Sequence, residues 1–140
     1  MLSSNLNIGL VSCIALFAIC SCTTSKNGGV VQNSDGLEMV YVDKVDSDQS
    51  ISEAEKLQVN ISGNLPSPAY TFERFAVKLK GKAIEIIPLA KFDATKMVVQ
   101  VLVPFQEVCS VENLKPGTYN ILVRGRGDTV VKAESIQVKK

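Results

Sequence analysis

Two cysteines, Cys20 and Cys22, lie one residue apart, where an apolar run ends and a polar stretch begins. A cysteine thiolate can bind a soft metal, act as a nucleophile or form a disulfide. Metal binding needs further ligands, and the sequence has no second cluster of Cys or His to complete a coordination shell. Because histidine is absent, Ser-His and Cys-His nucleophile arrangements are excluded too. The sequence therefore predicts no catalytic residue, no metal site and no cofactor.

The apolar run before these cysteines extends from Ile8 to Ile19 without a charged residue. Its length suits the core of a signal peptide, whereas a membrane-spanning helix needs about 20 residues. The preceding residues, MLSSNLN, carry no Lys or Arg, so the α-amino group is the only positive charge ahead of the core. We predict that residues 1–21 form a helical signal peptide that is removed.

Residues 19–22 resemble the end of a bacterial lipoprotein signal peptide, which has an aliphatic residue, two small residues and then a cysteine. Ile19, Cys20, Ser21 and Cys22 fit this order, whereas Cys20 as the anchor would place bulky Ile19 next to the cut. The resemblance implies cleavage before Cys22, diacylglycerol on its sulfur and acylation of the new amine. Two or three acyl chains make release from a bilayer negligible, whereas one chain binds only marginally. An ordinary cleaved leader without lipid is the alternative.

A polar stretch follows Cys22 and contains Gly, Ser, Thr and Asn without apolar periodicity. Such a composition behaves as flexible coil and would hold a folded body about 20 Å from the membrane. We therefore predict a tether over residues 22–37. Among lipoproteins of enteric-type bacteria, Asp directly after the lipidated cysteine favours retention in the inner membrane. Position 23 is Thr, so the resemblance implies a lipid-anchored protein of the cell envelope, in the outer rather than the inner membrane.

From residue 38 onward, short runs rich in Val and Ile alternate with Gly, Pro and Asn, which is typical of a β-sandwich. The run LEMVYVDKVD predicts a first strand, and EKLQVNISG predicts a second one with strict alternation of apolar and polar residues. A hairpin is expected about Gly81. The run KMVVQVLVPF is apolar on both faces, so we expect it to lie centrally in a sheet.

The segment LKPGTYNILVRG near the carboxyl end resembles the closing part of immunoglobulin-like and fibronectin type III domains. Leu114, Pro116, Gly117 and Tyr119 match the L-x-P-G-x-Y spacing of those folds, in which the tyrosine hydroxyl bonds back to the preceding turn as a tyrosine corner. More widely, residues 60–125 are similar to small bacterial lipoproteins with such a domain. The resemblance implies that residues 38–140 form an all-β, immunoglobulin-like antiparallel β-sandwich of about seven strands, after the signal helix and flexible linker.

Composition narrows the classes of function. The net charge is +1, Trp is absent and aromatic residues make up 6% of the chain. A near-neutral chain has no global field to attract nucleic acid, and few aromatic rings are present to stack on bases or sugars. We therefore expect no nucleic-acid partner, and no small-molecule substrate is evident.

Some short motifs have both a functional and a structural interpretation. Arg126, Gly127 and Asp128 form the integrin-recognition tripeptide RGD, but these residue types also suit a hairpin turn. Cys109 lies in an apolar run without basic neighbours in sequence, so we expect an inert, buried thiol. The structural interpretation is favoured for both.

Two groups of charged residues also have competing interpretations. Closely spaced acidic residues resemble part of a calcium loop but lack the glycine and distal Glu of an EF-hand, and the strand pattern already accounts for one of them. Basic residues around the Gly81 turn could meet an anionic partner, although charges at sheet edges also prevent unwanted pairing. The acidic residues are Asp43, Asp46 and Asp48, and the basic ones are Arg74, Lys78, Lys80 and Lys82.

Three classes of function follow from these observations. The first is a non-enzymatic interaction or structural module, held to the membrane by its lipid anchor and bound to another envelope protein. The second is a protease inhibitor that inserts the proline-containing loop LPSPAY, residues 65–70, into a protease cleft. The third, an enzyme, ranks last because the chain lacks histidine and any nucleophile motif.

Overall fold

The computed structural model describes residues 35–133 and 135–140. The predicted signal helix, the lipidation site Cys22 and most of the predicted tether lie outside these residues. Within them the chain forms ten strands and one 3-10 turn. The strands are β1 (Leu37–Met39), β2 (Tyr41–Ser47), β3 (Ser50–Ser52), β4 (Leu57–Leu65), β5 (Tyr70–Lys80), β6 (Ala83–Phe92), β7 (Val103–Val111), β8 (Gly117–Arg124), β9 (Val130–Lys132) and β10 (Ile136–Lys139), and the 3-10 turn is Arg126–Asp128.

The strands form two sheets that pack face to face. The larger sheet has the order β1-β6-β8-β10-β3. In addition, β5 pairs with β6, and β9 pairs with β8. The smaller sheet has the order β2-β4-β7. The prediction of an all-β sandwich is therefore confirmed.

Two pairings in the larger sheet are parallel, whereas we predicted an antiparallel sandwich. β6 pairs with β8 in parallel over Ala83–Ile86, and β10 pairs with β3 in the same manner. The first arises because β7, which lies in the other sheet, carries the chain back between β6 and β8. The larger sheet is therefore mixed, and the strand count of ten includes several strands only three residues long.

The core follows the alternation of the sequence. β4 buries every second residue, and Leu57, Val59 and Ile61 are completely inaccessible to solvent. β8 does the same with Tyr119, Ile121 and Val123. These side chains belong to one cluster that fills the space between the two sheets. Burial of apolar surface on this scale is the main force that holds a sandwich together.

The predicted first strand is interrupted at Val40. Leu37–Met39 pairs with β6 in the larger sheet, whereas β2 pairs with β4 in the smaller one. Met39 and Val40 are consecutive and both are buried, which a single regular strand with one solvated face would not allow. The chain therefore crosses from one sheet to the other at this point.

The prediction that KMVVQVLVPF lies centrally in a sheet is wrong, because residues 96–102 form no strand and β7 is an edge strand of the smaller sheet. Strand β7 begins only at Val103, which pairs with Leu65, the last residue of β4. Residues 96–102 precede this point and connect the end of β6 in one sheet to the start of β7 in the other. They therefore have no partner strand in the smaller sheet, and their apolar side chains stay exposed.

The hairpin predicted about Gly81 is present. β5 and β6 pair over their full lengths, and Gly81 adopts a positive φ of 60° in the turn between them. A residue with a Cβ atom rarely adopts this conformation, so glycine suits the position. In the described part of the chain, no helix has the length and apolar character needed to span a membrane.

Candidate functional site

The sandwich has two ends, and the functional candidates divide between them. At the end that we call the Phe92 end, β6 finishes at Phe92 and β7 begins at Val103. Leu37 pairs with Lys91 and Tyr70 pairs with Phe92, so β1 and β5 begin at this end too. We call the opposite end, which carries the hairpin turn, the Gly81 end.

An exposed apolar segment, residues 97–102, lies at the Phe92 end. All five of its apolar side chains are substantially exposed, and Gln100 is exposed as well. The exposed fractions are 86% for Met97, 51% for Val98, 47% for Val99, 54% for Val101 and 54% for Leu102. A contiguous exposed apolar patch is a common mark of a binding surface.

The backbone of the apolar segment is bent at its centre. The amide of Val101 donates a hydrogen bond of 2.8 Å to the carbonyl oxygen of Val99. Such a hydrogen bond between residues two apart closes a γ-turn. The segment therefore forms a protruding loop and does not present a straight strand edge.

Arg126 holds a partly buried cluster together at the same end. Its Nη1 lies 2.8 Å from Oε2 of Glu38, and the hydroxyl of Tyr70 donates a 2.9 Å hydrogen bond to the same oxygen. The guanidinium also lies over the rings of Tyr41 and Tyr70, 5.8 and 6.0 Å from their centroids. Burial and the hydrogen bond with Glu38 raise the pKa of Tyr70, so its hydroxyl stays protonated at neutral pH.

These contacts bear on the RGD tripeptide. Its arginine side chain is directed to Glu38 and is only 26% exposed. Gly127 and Asp128 adopt positive φ values of 75° and 56°, which suit glycine and aspartate in a tight turn. The geometry therefore supports the structural interpretation of this tripeptide over the adhesive one.

Most basic residues of the predicted cluster already have partners. Lys80 Nζ lies 2.8 Å from Glu85, and Arg74 lies 2.7 Å from Asp35. Lys82 Nζ lies 4.4 Å from the centroid of the Tyr119 ring, a cation–π contact. Only Lys78, which is exposed, remains of the predicted set. These contacts favour the interpretation of a charged sheet edge over that of a binding site for an anion.

Acid should weaken the sandwich in part through Glu85. Hydrogen bonds with Lys80 and Arg124 lower the pKa of Glu85 below its ordinary value of 4.5. A carboxyl whose pKa is lowered by folding stabilises the protein above its unfolded pKa and loses this contribution as the pH falls through the folded one. We expect Glu85→Gln to reduce the loss of unfolding free energy as the pH falls below the ordinary value of 4.5.

Urea titrations of native protein and Glu85→Gln at several pH values would check this expectation. Glu73→Gln, an exposed position on the same hairpin, is the matched control and should leave the pH dependence as in the native chain. An unchanged acid dependence in Glu85→Gln would contradict the assignment.

The residues of the predicted tyrosine corner are brought together at the Gly81 end. The Tyr119 hydroxyl donates a 3.0 Å hydrogen bond to the carbonyl oxygen of Lys115. Leu114 is buried, and Gly117 adopts a φ of 145° where the chain enters β8 after Pro116. This arrangement closes the turn into β8 and has a structural role.

The acidic residues do not form a cation site. Asp43 accepts a 2.6 Å hydrogen bond from Asn64, and Asp46 pairs with Lys44 at 2.7 Å. Among the described residues, no group of three or more potential ligands is placed to hold a metal ion. Asp48 lies beyond β2, in the link to β3.

Cys109 lies on the inner face of β7 and is 2% exposed. Burial raises its pKa to about 11. The thiolate needed for nucleophilic chemistry is therefore scarce at neutral pH, and the side chain packs as a small apolar group in the core.

The loop LPSPAY is compact and lies against the body. Ser67 and Ala69 are buried, and Pro68 is the exposed residue between them. The amide of Tyr70 bonds to the carbonyl of Ser67, and the amide of Asp93 bonds to that of Ala69. No extended segment projects from this loop, so its shape does not favour insertion into a protease cleft.

Two features of the Phe92 end were not found from the sequence. The exposure of the apolar segment was missed because its composition is that of a buried strand. The cluster of Glu38, Tyr70 and Arg126 was missed because its members are far apart in the chain. Near the cluster, the only local signal in the sequence was the turn predicted from Gly127 and Asp128, and it does not indicate which residue Arg126 contacts.

Comparison with known proteins agrees with this architecture. A family model described as the ORF11 beta-sandwich domain matches residues 59–133, which is more than half of the chain. The chain therefore belongs to the ORF11 beta-sandwich domain family. The match begins within β4 and ends just after β9, so it includes parts of both sheets. No curated protein and no solved structure matches the chain.

Proposed function

We propose that this protein is a lipid-anchored, non-enzymatic module of the bacterial cell envelope. The observation that carries the proposal is the order Ile19, Cys20, Ser21, Cys22 at the end of an uncharged apolar run. Cleavage before Cys22 and acylation of its sulfur and amine would leave a sandwich joined to the membrane by a short polar tether. Thr23, in the place where Asp favours inner-membrane retention, supports the outer membrane as its location.

The chemistry of the sandwich supports an interaction or structural role. The thiol of Cys109 is buried, and Arg126 and Glu85 are engaged in internal ion pairs. Exposed surface is rich in apolar side chains, most of all in the apolar segment. Such surfaces are suited to binding rather than to bond making, and we propose another envelope protein as the partner.

The anchor is tested by metabolic labelling with a palmitate analogue in bacteria that express the full chain. We expect label in the native protein and in Cys20→Ala, and loss of label in Cys22→Ala. The Cys22→Ala chain should also stay unprocessed, because cleavage of a lipoprotein leader follows lipid transfer to the cysteine. Separation of the two membranes by density should place the labelled chain in the outer membrane.

Two results would overturn the anchor proposal. Label that persists in Cys22→Ala and is lost in Cys20→Ala would place the lipid on the other cysteine. A native chain that is cleaved but never labelled would indicate an ordinary leader. The partner is tested separately, by chemical cross-linking in intact envelopes with the native chain, and Cys22→Ala should lose the cross-linked product.

A further inference from the structure

The apolar segment has an exposure that folding of this chain does not explain. Its five apolar side chains are each between 47% and 86% exposed, and they are consecutive except for Gln100. Phe92, which ends β6 five residues before the segment, is 37% exposed. Surfaces of this kind are characteristic of contacts with a protein or a membrane.

The position of the segment relative to the start of the sandwich identifies the partner surface. Leu37 pairs with Lys91, and Asp35 forms a 2.7 Å ion pair with Arg74. The chain therefore enters the sandwich at the Phe92 end, where the apolar segment also lies. If Cys22 carries lipid, the short polar stretch before Asp35 keeps this end within about 20 Å of the bilayer on average.

We infer that the apolar segment contacts the bilayer and inserts its side chains into the membrane interface, as a second point of attachment besides the lipid. This inference rests on the proposed function. Residues 97–102 contain no charge that would have to be desolvated. Lys91 and Lys96, both exposed, precede the segment in the chain and have ammonium groups that lipid phosphates attract. The ammonium of Lys96 also lies 3.9 Å from the carboxylate of Asp93, in an exposed ion pair that salt and lipid phosphates can compete with.

The bent backbone favours a membrane over a pairing strand. Addition of a strand from a partner or from a second copy requires a straight row of free amide and carbonyl groups. The hydrogen bond from Val101 to Val99 uses one of these amides and bends the segment at its centre. A fluid interface requires no register, and it accepts a protruding apolar loop.

A fluorophore at residue 99 tests the inference in the lipidated full chain. In the mature protein the Cys22 sulfur is acylated and Cys109 is buried, so Val99→Cys introduces the reactive thiol. The labelled chain is reconstituted in vesicles of phosphatidylcholine and phosphatidylglycerol. Thr118→Cys, exposed at the Gly81 end, is the matched control.

We expect a blue shift of emission at residue 99, and loss of that emission when the vesicles contain lipids with a quencher on the acyl chain. The label at residue 118 should keep the emission of an aqueous environment and resist the lipid quencher. Adding Val98→Asp and Val101→Asp to Val99→Cys should reverse the shift without removing the chain from the vesicles.

Two outcomes would overturn the inference. An aqueous spectrum at residue 99 in the anchored chain would show that the segment does not touch the bilayer. A blue shift that the lipid quencher leaves unchanged, and that grows with the surface density of protein, would instead indicate contact between copies.

Failure of the anchor is distinguishable from failure of this inference. If the native chain takes up no palmitate, the anchor is wrong, and the segment is tested without it. The label at residue 99 is then placed in a chain with Cys13→Ser, Cys20→Ser and Cys22→Ser, and excess vesicles are added. A quenchable blue shift would still support membrane contact by the segment, and an unchanged spectrum would overturn it.

Discussion

Replacing Gly63 with alanine is expected to lower the free energy of unfolding by about 3 kcal/mol, the upper range for overpacking of a well-packed core. A Cβ atom at this position would overlap the carbonyl oxygen of Tyr41 and would lie 2.9 Å from the Tyr41 carbonyl carbon and 3.0 Å from Cα of Val42. All three atoms belong to the backbone, so no side-chain rotation relieves the overlap. Relief requires β2 to move away from β4 at the point where the chain has just crossed between the sheets.

Gly81→Ala is the matched control for this prediction. Gly81 has a positive φ of 60°, but a Cβ atom there meets no other atom within 4 Å. The variant should therefore incur only the cost of the left-handed conformation, about 1 kcal/mol. Urea unfolding of both purified chains, followed by circular dichroism, measures the difference. Equal losses in the two variants would show that β2 does not approach Gly63 as closely as the structure has it.

The elements predicted correctly from the sequence are those with local causes. Alternating burial in β4 follows from Leu57, Val59 and Ile61, each separated by one polar residue. The hairpin at Gly81 follows from a glycine between two apolar runs. In both cases neighbours in sequence determine which face is buried and where the chain turns.

The elements that were predicted wrongly depend on pairing with distant residues. The run from Leu37 to Asp46 has the composition of one strand, but its two halves pair with different partners, β6 and β4. Residues 96–102 have a high propensity for strand, yet β4 ends at Leu65, where β7 has only begun. Propensity describes the chain locally, whereas the available partner strands are a property of the whole fold.

The candidate site shows the same division. The positions of Gly127 and Asp128 in a tight turn were expected from their types, and the structure has them at positive φ. The partner of Arg126 was not expected, because Glu38 lies 88 residues earlier in the chain. The burial of Cys109 followed from its apolar neighbours, and Cys22 and most of the predicted tether lie outside the described residues.

Arg126→Ala is expected to destabilise the sandwich by about 1.5–3 kcal/mol, the range for a hydrogen bond to a charged group. The Glu38 side chain is only 17% exposed. After the substitution its carboxylate would still accept the hydrogen bond from the Tyr70 hydroxyl, but it would have lost the positive charge of Arg126. The two rings that flank the guanidinium would lose their cation contacts as well. Thermal or urea unfolding measures the loss.

Asp128→Asn is the matched control for the RGD tripeptide. Asparagine tolerates the positive φ of 56° at this position, so the variant should unfold nearly as the native chain does. If the tripeptide were adhesive, its recognition would require the carboxylate of Asp128. Asp128→Asn would then abolish cell attachment and leave the stability unchanged. Arg126→Ala with native stability would contradict the structural role of the arginine.

A double-mutant cycle with Glu38→Ala separates the ion pair from the other contacts of Arg126. If the pair carries most of the effect, removing both partners should cost less than the two single losses added together. Additive losses would instead assign the effect of Arg126 to its packing on Tyr41 and Tyr70.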